Sequence, residues 1–239
     1  MIRLNKQGGD GLFQALVDGM TALLNWLYHL TELAHMANYG LAIILLTILI
    51  KIALYPLSVK QMRSMVIMQQ LAPKVKEIQE RYRNKDPQKM QQKIMELYRE
   101  HNVNPMAGCL PLLIQMPILI ALYRALLHFN YADPAHARFL WVKNLSQVGD
   151  PYFILPLLAG LTTYVQSRMT TNMTDPTQRT MLIVMPIFIA WISATVPAGL
   201  ALYWVIFNAV GIVQQYFVNR HTQGLKEALN TGGGSRENR

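Results

Sequence analysis

Lys51 is the residue that most needs a chemical reason, because it interrupts the apolar run LLTILIKIALYP. A charge inside a membrane helix costs roughly 3 kcal/mol on insertion scales. Two readings are open. The Lys stem can snorkel to an interface, since Lys51 lies five residues before Pro56. Alternatively Lys51 faces a wet cavity, with Thr47 one turn earlier on the same face. Other polar groups support the cavity. Gln115 lies deep in a second apolar run between Pro111 and Pro117, which loosen that helix and free backbone carbonyls. Further on, Trp204, Asn208 and Gln215 recur at near-helical spacing beside Tyr203 and Gln214. Each alone could be interhelical glue. Together, one cation with hydroxyl and amide groups describes a hydrophilic pocket that attracts anionic groups. The interiors of the apolar runs hold no Asp, Glu or His. Proton and cation relays usually need such groups, so a pump or cation channel is disfavoured.

Searches for catalytic chemistry are empty. The six histidines (His29, His35, His101, His128, His136 and His221) show no HExxH or other metal-ligand spacing. There is no GxSxG, no P-loop and no pair of intramembrane aspartates. The expectation is a protein without enzyme activity, cofactor or metal. Cys109 is the single cysteine and permits no internal disulfide.

The elements that must hold these groups follow from composition. The 239 residues are 52% hydrophobic and only 15% charged, with a net charge of +9, against about 25% charged in ordinary soluble domains. This predicts an all-α integral membrane protein and excludes a disordered chain, a disulfide scaffold and a DNA-binding module. A membrane helix needs about 20 apolar residues. Five stretches qualify: 39–57, 107–127, 152–168, 181–197 and 199–218. Pro197-Ala198-Gly199 marks a tight turn between the last two. The loops containing 58–106 and 169–180, with the tail, carry sixteen Lys and Arg against five on the alternate side. That bias predicts a cytoplasmic C-terminus and an external N-terminus.

Residues 1–38 read differently. Gln14, Asp18, Thr21, Asn25, His29 and Glu32 form one stripe, with Phe13, Leu16, Met20, Leu23, Leu27, Leu30 and Ala34 opposite. This predicts an amphipathic helix lying in the outer interface. A signal peptide would need an unbroken apolar core, which Asp18, His29 and Glu32 spoil.

Residues 58–106 carry a helical period of their own: Leu71, Val75, Ile78 and Tyr82, then Met90, Ile94 and Leu97. Asp86 is the expected N-cap after the break and Pro87 the first helical residue. Two antiparallel helices projecting into the cytoplasm are predicted. The basic residues, Arg81 and Arg83 among them, are either a solvated face that fixes topology or a contact for headgroups, RNA or an acidic partner. Met65, Met68 and Met90 are either gap-fillers or flexible contacts for varied apolar segments.

The segments KIALYPLSVKQMRSM, VNPMAGCLPLLIQMPILIALYRAL, DPYFILPLLAG, TDPTQRTMLIVMP and VPAGLALYWVIFNAVGIVQQ, in this order, resemble the YidC/Oxa/Alb family of membrane protein insertases, bacterial members above all. The resemblance covers residues 39–220. It implies five helices around a hydrophilic groove that opens to the cytoplasm and lipid, is closed toward the outside, and is capped by a cytoplasmic hairpin. By position it makes Lys51 the groove cation and matches Thr47, Gln115, Tyr203 and Trp204 to groove or client-contact positions. It implies nascent membrane proteins as clients, with the Sec translocon and ribosome as partners and one chain as the working unit, in the bacterial plasma membrane. Lysine replaces the arginine typical of bacterial relatives, exchanging a fixed fork of donors for a compact point charge. The sequence shows neither the extra N-terminal span and large periplasmic domain of Gram-negative relatives nor the lipoprotein signal of Gram-positive ones. The tail 221–239 has Glu227 and Glu237 among its few basic residues, so strong ribosome tethering through it is not expected. A small anion channel or a chaperone without insertase activity are the rival readings. The first predicts internal repeats, which the sequence lacks; the second has no need of Lys51.

Overall fold

The computed structural model describes residues 6–82, 85–104, 110–127, 133–171 and 176–232. Among them the regular structure is helical: α1 (Lys6–Leu33), α2 (Tyr39–Ala53), α3 (Tyr55–Tyr82), α4 (Pro87–Glu100), α5 (Leu110–Leu127), α6 (Ile154–Thr170), α7 (Pro176–Ser193) and α8 (Ala198–Gly232). A short 3-10 turn, Pro134–Ala137, lies between α5 and α6.

Helix boundaries follow local chemistry. Asn38 caps α2, its Oδ1 accepting from the backbone N–H of Gly40 (2.8 Å) and Leu41 (3.2 Å). The apolar run beginning at Tyr39 does not continue straight to residue 57. It ends at Ala53, and α3 leaves at 67°. Pro56 is the reason: it has no N–H for an α2 bond but fits the first turn of a new helix. Asp86 Oδ1 accepts from Lys89 N at 2.9 Å and starts α4. α8 continues past residue 220 through Gly232, because Leu225-Lys226-Glu227-Ala228-Leu229 are strong helix formers and no proline intervenes.

Among the described residues, Ala198–Arg220 of α8 is long and apolar enough by itself to cross a membrane, with a mean hydropathy of 1.4. The bent pair α2–α3 qualifies if taken as one span, and Leu113–Leu127 and Arg179–Ser193 are shorter apolar helices. The surface agrees with a lipid solvent. Leu157 and Leu161 of α6, Ile183, Ile187 and Trp191 of α7, and Val213 and Phe217 of α8 are all exposed, the kind of apolar exterior that marks an interaction or membrane surface.

The core joins α1, α2, α5 and α8 through Leu24, Leu27, Ile43, Leu46, Leu122, Leu126 and Tyr203. α7 packs mainly on α6, where Gly160 leaves room for Ala190 and the Pro186 carbonyl. α1 buries Val17, Met20, Leu24, Leu27, Tyr28 and Thr31, while Leu16 and Leu30 are exposed. Of the apolar stripe expected from the sequence, Met20 and Leu27 are buried and Phe13 and Leu23 pack against the core, while Leu16 and Leu30 are exposed; Val17, Leu24 and Tyr28 join the buried face beside it.

One end of the bundle is closed. Near one end of α1, Arg124 of α5 lies over the Phe13 ring at 5.0 Å. Further along, Tyr28 stacks on Tyr39 at the start of α2 (4.0 Å, 4°) and its hydroxyl pairs with His136 Nδ1 at 2.7 Å. Burial raises the Tyr28 phenol above its usual range, so it stays protonated. α1 thus touches the same end of two core helices rather than running beside them. The 133–153 connection is knit to the α7–α8 turn: Gly149 N donates to Val196 O (3.1 Å), Ala198 N to Gln147 O (2.9 Å) and Gly199 N to Leu145 O (2.8 Å). The α3–α4 pair lies at the opposite end, beyond the C-terminus of α2.

Candidate substrate groove

The polar groups flagged by the sequence converge on α8, whose Tyr203, Phe207, Gly211 and Gln215 are spaced by four and share one stripe. Lys51 reaches this stripe from α2. It is only 4% exposed, and its Nζ sits 3.5 Å from the centroid of the Phe207 ring. Among the described residues no Asp or Glu stands within ion-pair distance of it. A buried unpaired charge costs several kcal/mol. Here the ring face supplies part of the compensation, leaving a cation able to take up a negative group or water.

Amides and hydroxyls recur along the same helix, α8. Gln115 Nε2 donates to the Tyr203 hydroxyl at 2.8 Å, joining α5 to α8. Tyr203 stacks on Phe207 with centroids 5.7 Å apart. Asn208 Nδ2 donates to Thr163 Oγ1 (2.8 Å) and Thr162 Oγ1 (3.3 Å) of α6. Gln215 Nε2 donates to Asn219 Oδ1 at 2.7 Å, but its Oε1 is buried without a partner. Gln61 Nε2 on α3 and Gln214 Oε1 on α8 are also buried and unpartnered. Buried amide atoms left unpaired cost about 1–3 kcal/mol each.

Not every expected residue points into this set. Thr47 is fully buried, and its hydroxyl donates to Ile43 O at 2.7 Å within α2. Trp204 is half-buried, one residue off the stripe. On the α3–α4 pair, Met65, Met68 and Met90 are half-buried and Arg81 is exposed, while Arg83 lies outside the described residues. Some of the basic face there is self-paired: Lys93 Nζ meets Glu96 Oε2 at 2.6 Å and Lys76 Nζ meets Glu80 Oε1 at 3.7 Å. The bond to Glu96 holds the Lys93 ammonium above its usual range.

Four members were not anticipated: Thr162, Thr163 and Gln166 on α6, and Gly211 on α8. Thr162, Gln166 and Thr170 are spaced by four, the same signal that flagged the last span. Among the described residues no three His, Cys, Asp or Glu side chains are grouped as a metal site.

A helical bundle with an apolar exterior and, among the described residues, a buried lysine with no carboxylate within ion-pair distance is the build of an integral membrane protein. The family profile described as 60Kd inner membrane protein matches residues 29–226, and the chain belongs to this family, that of the YidC insertases. It is similar to the membrane protein insertase YidC of Wolinella succinogenes, with 46% identity over 208 residues, 86% of this chain and 37% of that relative. The YidC of Helicobacter pylori J99 is 42% identical over 227 residues, 91% of this chain and 40% of its own length. A crystal structure of active YidC insertase with the first transmembrane domain resolved superposes with a TM-score of 0.69 at 29% identity. That match covers 86% of this chain and 46% of the crystallised one. The chain therefore spans less than half the length of these relatives.

Proposed function

We propose that this chain is an insertase core that moves hydrophobic segments of newly made membrane proteins sideways into the bilayer without nucleotide hydrolysis. The observation that carries this reading is the buried Lys51 ammonium, held against the Phe207 ring with no carboxylate within ion-pair distance among the described residues. Five spans, the first being α2 with its bend into α3 and the others at 107–127, 152–168, 181–197 and 199–218, enclose a hydrophilic groove around it. The knitted end of the bundle faces outward with the N-terminus, α1 lies in the outer interface, and the α3–α4 hairpin and C-terminus are cytoplasmic. The greater number of Lys and Arg on the hairpin side supports this orientation.

A client segment first meets the hairpin, where Met65, Met68 and Met90 offer adaptable apolar contact and Arg81 and Arg83 offer charge. Its polar tail then enters the groove, where Lys51, Gln115, Tyr203, Asn208 and Gln215 replace hydration that hydrocarbon would strip away. The apolar segment moves past α2 and α8 into lipid, driven by burial worth about 25 cal/mol per Å². Ribosomes and a Sec-type translocon are the partners that would deliver clients, and one copy is the working unit.

The test is reconstitution in liposomes with a short single-span client, read as protease protection. Protection well above empty liposomes, with no nucleotide added, is the expected result. Protection no higher than in empty liposomes would contradict autonomous insertion.

A further inference from the structure

Gly211 sits in the middle of α8, buried and in ordinary helical conformation, so it is not there for backbone freedom. Alanine is the better helix former at such a position. What Gly211 provides is the absence of a side chain. A methyl group built there would overlap the Gln166 amide nitrogen and would stand 3.1 Å from Lys51 Nζ. Side chains from α2 and α6 thus use one gap in the surface of α8, and through it Lys51 settles against the Phe207 ring one turn away.

We propose that Gly211 is the positioning residue that sets Lys51 and Gln166 side by side as paired donors for a carboxylate on the client's tail, and so fixes a preference for acidic tails. The chemistry follows from the donors. An ammonium and a neighbouring amide N–H can each meet one oxygen of a carboxylate, which neither a neutral amide nor a cation on the client can reproduce. Phe207 closes the site on one side with a face that adds no competing hydrogen bond. Any side chain at 211 displaces one donor or both. This inference rests on the insertase reading, but the position of Lys51 can be measured without it.

Gly211→Ala suits the test because the atoms it would strike are the far ends of two flexible side chains, so the side chains move and the helix stays. The purified protein in liposomes is treated with formaldehyde and a borohydride, and dimethylation of Lys51 is quantified by peptide mass spectrometry, with exposed Lys60 as reference. Gly211→Ala is expected to raise Lys51 labelling at least threefold relative to Lys60, with an unchanged or higher thermal midpoint. Adding Gln166→Ala gives the space back and should return the ratio toward wild type. In the insertion assay, the yield ratio of acidic-tailed to neutral-tailed client should fall at least threefold in Gly211→Ala. Labelling within 1.5-fold of wild type would overturn the proposal whether or not the chain inserts clients. Altered labelling with an unchanged tail preference would overturn the specificity role and leave Gly211 a packing residue.

Discussion

Lys51→Glu is expected to cut insertion of an acidic-tailed client at least tenfold in proteoliposomes, while Lys51→Ala cuts it less and Lys51→Arg retains most of it. The order follows from the surroundings of the amine. No carboxylate stands within ion-pair distance among the described residues, so the ammonium is free to attract a client's carboxylate, and alanine removes that attraction. Glutamate replaces it with repulsion. For two unit charges about 4 Å apart the interaction is ~1 kcal/mol in bulk water and ~4 kcal/mol at the effective dielectric of a protein surface. Reversing its sign changes the energy by about twice that amount, and about 1.4 kcal/mol already makes a factor of ten. Arginine keeps the charge, with a larger head to fit beside Phe207. Equal yields for all four proteins would remove Lys51 from the mechanism.

Asp150→Ala is expected to be the most destabilising of the single truncations in the closed end of the bundle. Asp150 is 7% exposed and serves three donors. Its carboxylate accepts from the Trp141 indole Nε1 (3.1 Å), the Leu155 backbone N (2.7 Å) and the Tyr152 backbone N (3.2 Å). Phe153, at the start of α6, has left-handed backbone (φ 60°) and gives no side-chain cap, so Asp150 does that work from three residues upstream. Truncation strands at least two donors, at about 1–3 kcal/mol each. With about 2–4 °C per kcal/mol for a chain of this size, the thermal midpoint in detergent should fall by at least about 5 °C. Asp150→Asn keeps an acceptor oxygen and should lose about half as much. A midpoint within about 1 °C of wild type for the alanine variant would mean that the carboxylate does not hold the start of α6. Insertion should fall with stability, because α6 carries Thr162, Thr163 and Gln166.

Legibility in the sequence depended on contrast with the surroundings. Lys51, Gln115, Asn208 and Gln215 could be read because a charge or amide in an apolar run needs a partner or a cavity, and the structure brings Lys51 and Gln215 to one stripe of α8 and Gln115 to Tyr203 on the same stripe. Asp86 and Pro87 could be read because capping is local chemistry. Gln166 and the two threonines of α6 look like ordinary interhelical hydrogen bonding until the helix is placed beside α8. Gly211 could not be read at all, since its contribution is room, and room is defined only by the side chains that arrive from α2 and α6. The packing face of α1 was legible in part: Met20 and Leu27 of the apolar stripe are buried, but Leu16 and Leu30 are as apolar as the buried Leu24, and only the three-dimensional arrangement separates them.

The central claim is that the groove cation acts directly on the charge of the client's tail, and a reciprocal charge exchange tests it most directly. Two otherwise identical single-span clients, one with an acidic and one with a basic tail, would be presented to wild type and Lys51→Glu in liposomes, with protease protection measured for all four pairs. Wild type should favour the acidic tail, and Lys51→Glu should reverse the preference and recover insertion of the basic tail. Equal impairment of both clients by Lys51→Glu, or no change for either, would contradict the account.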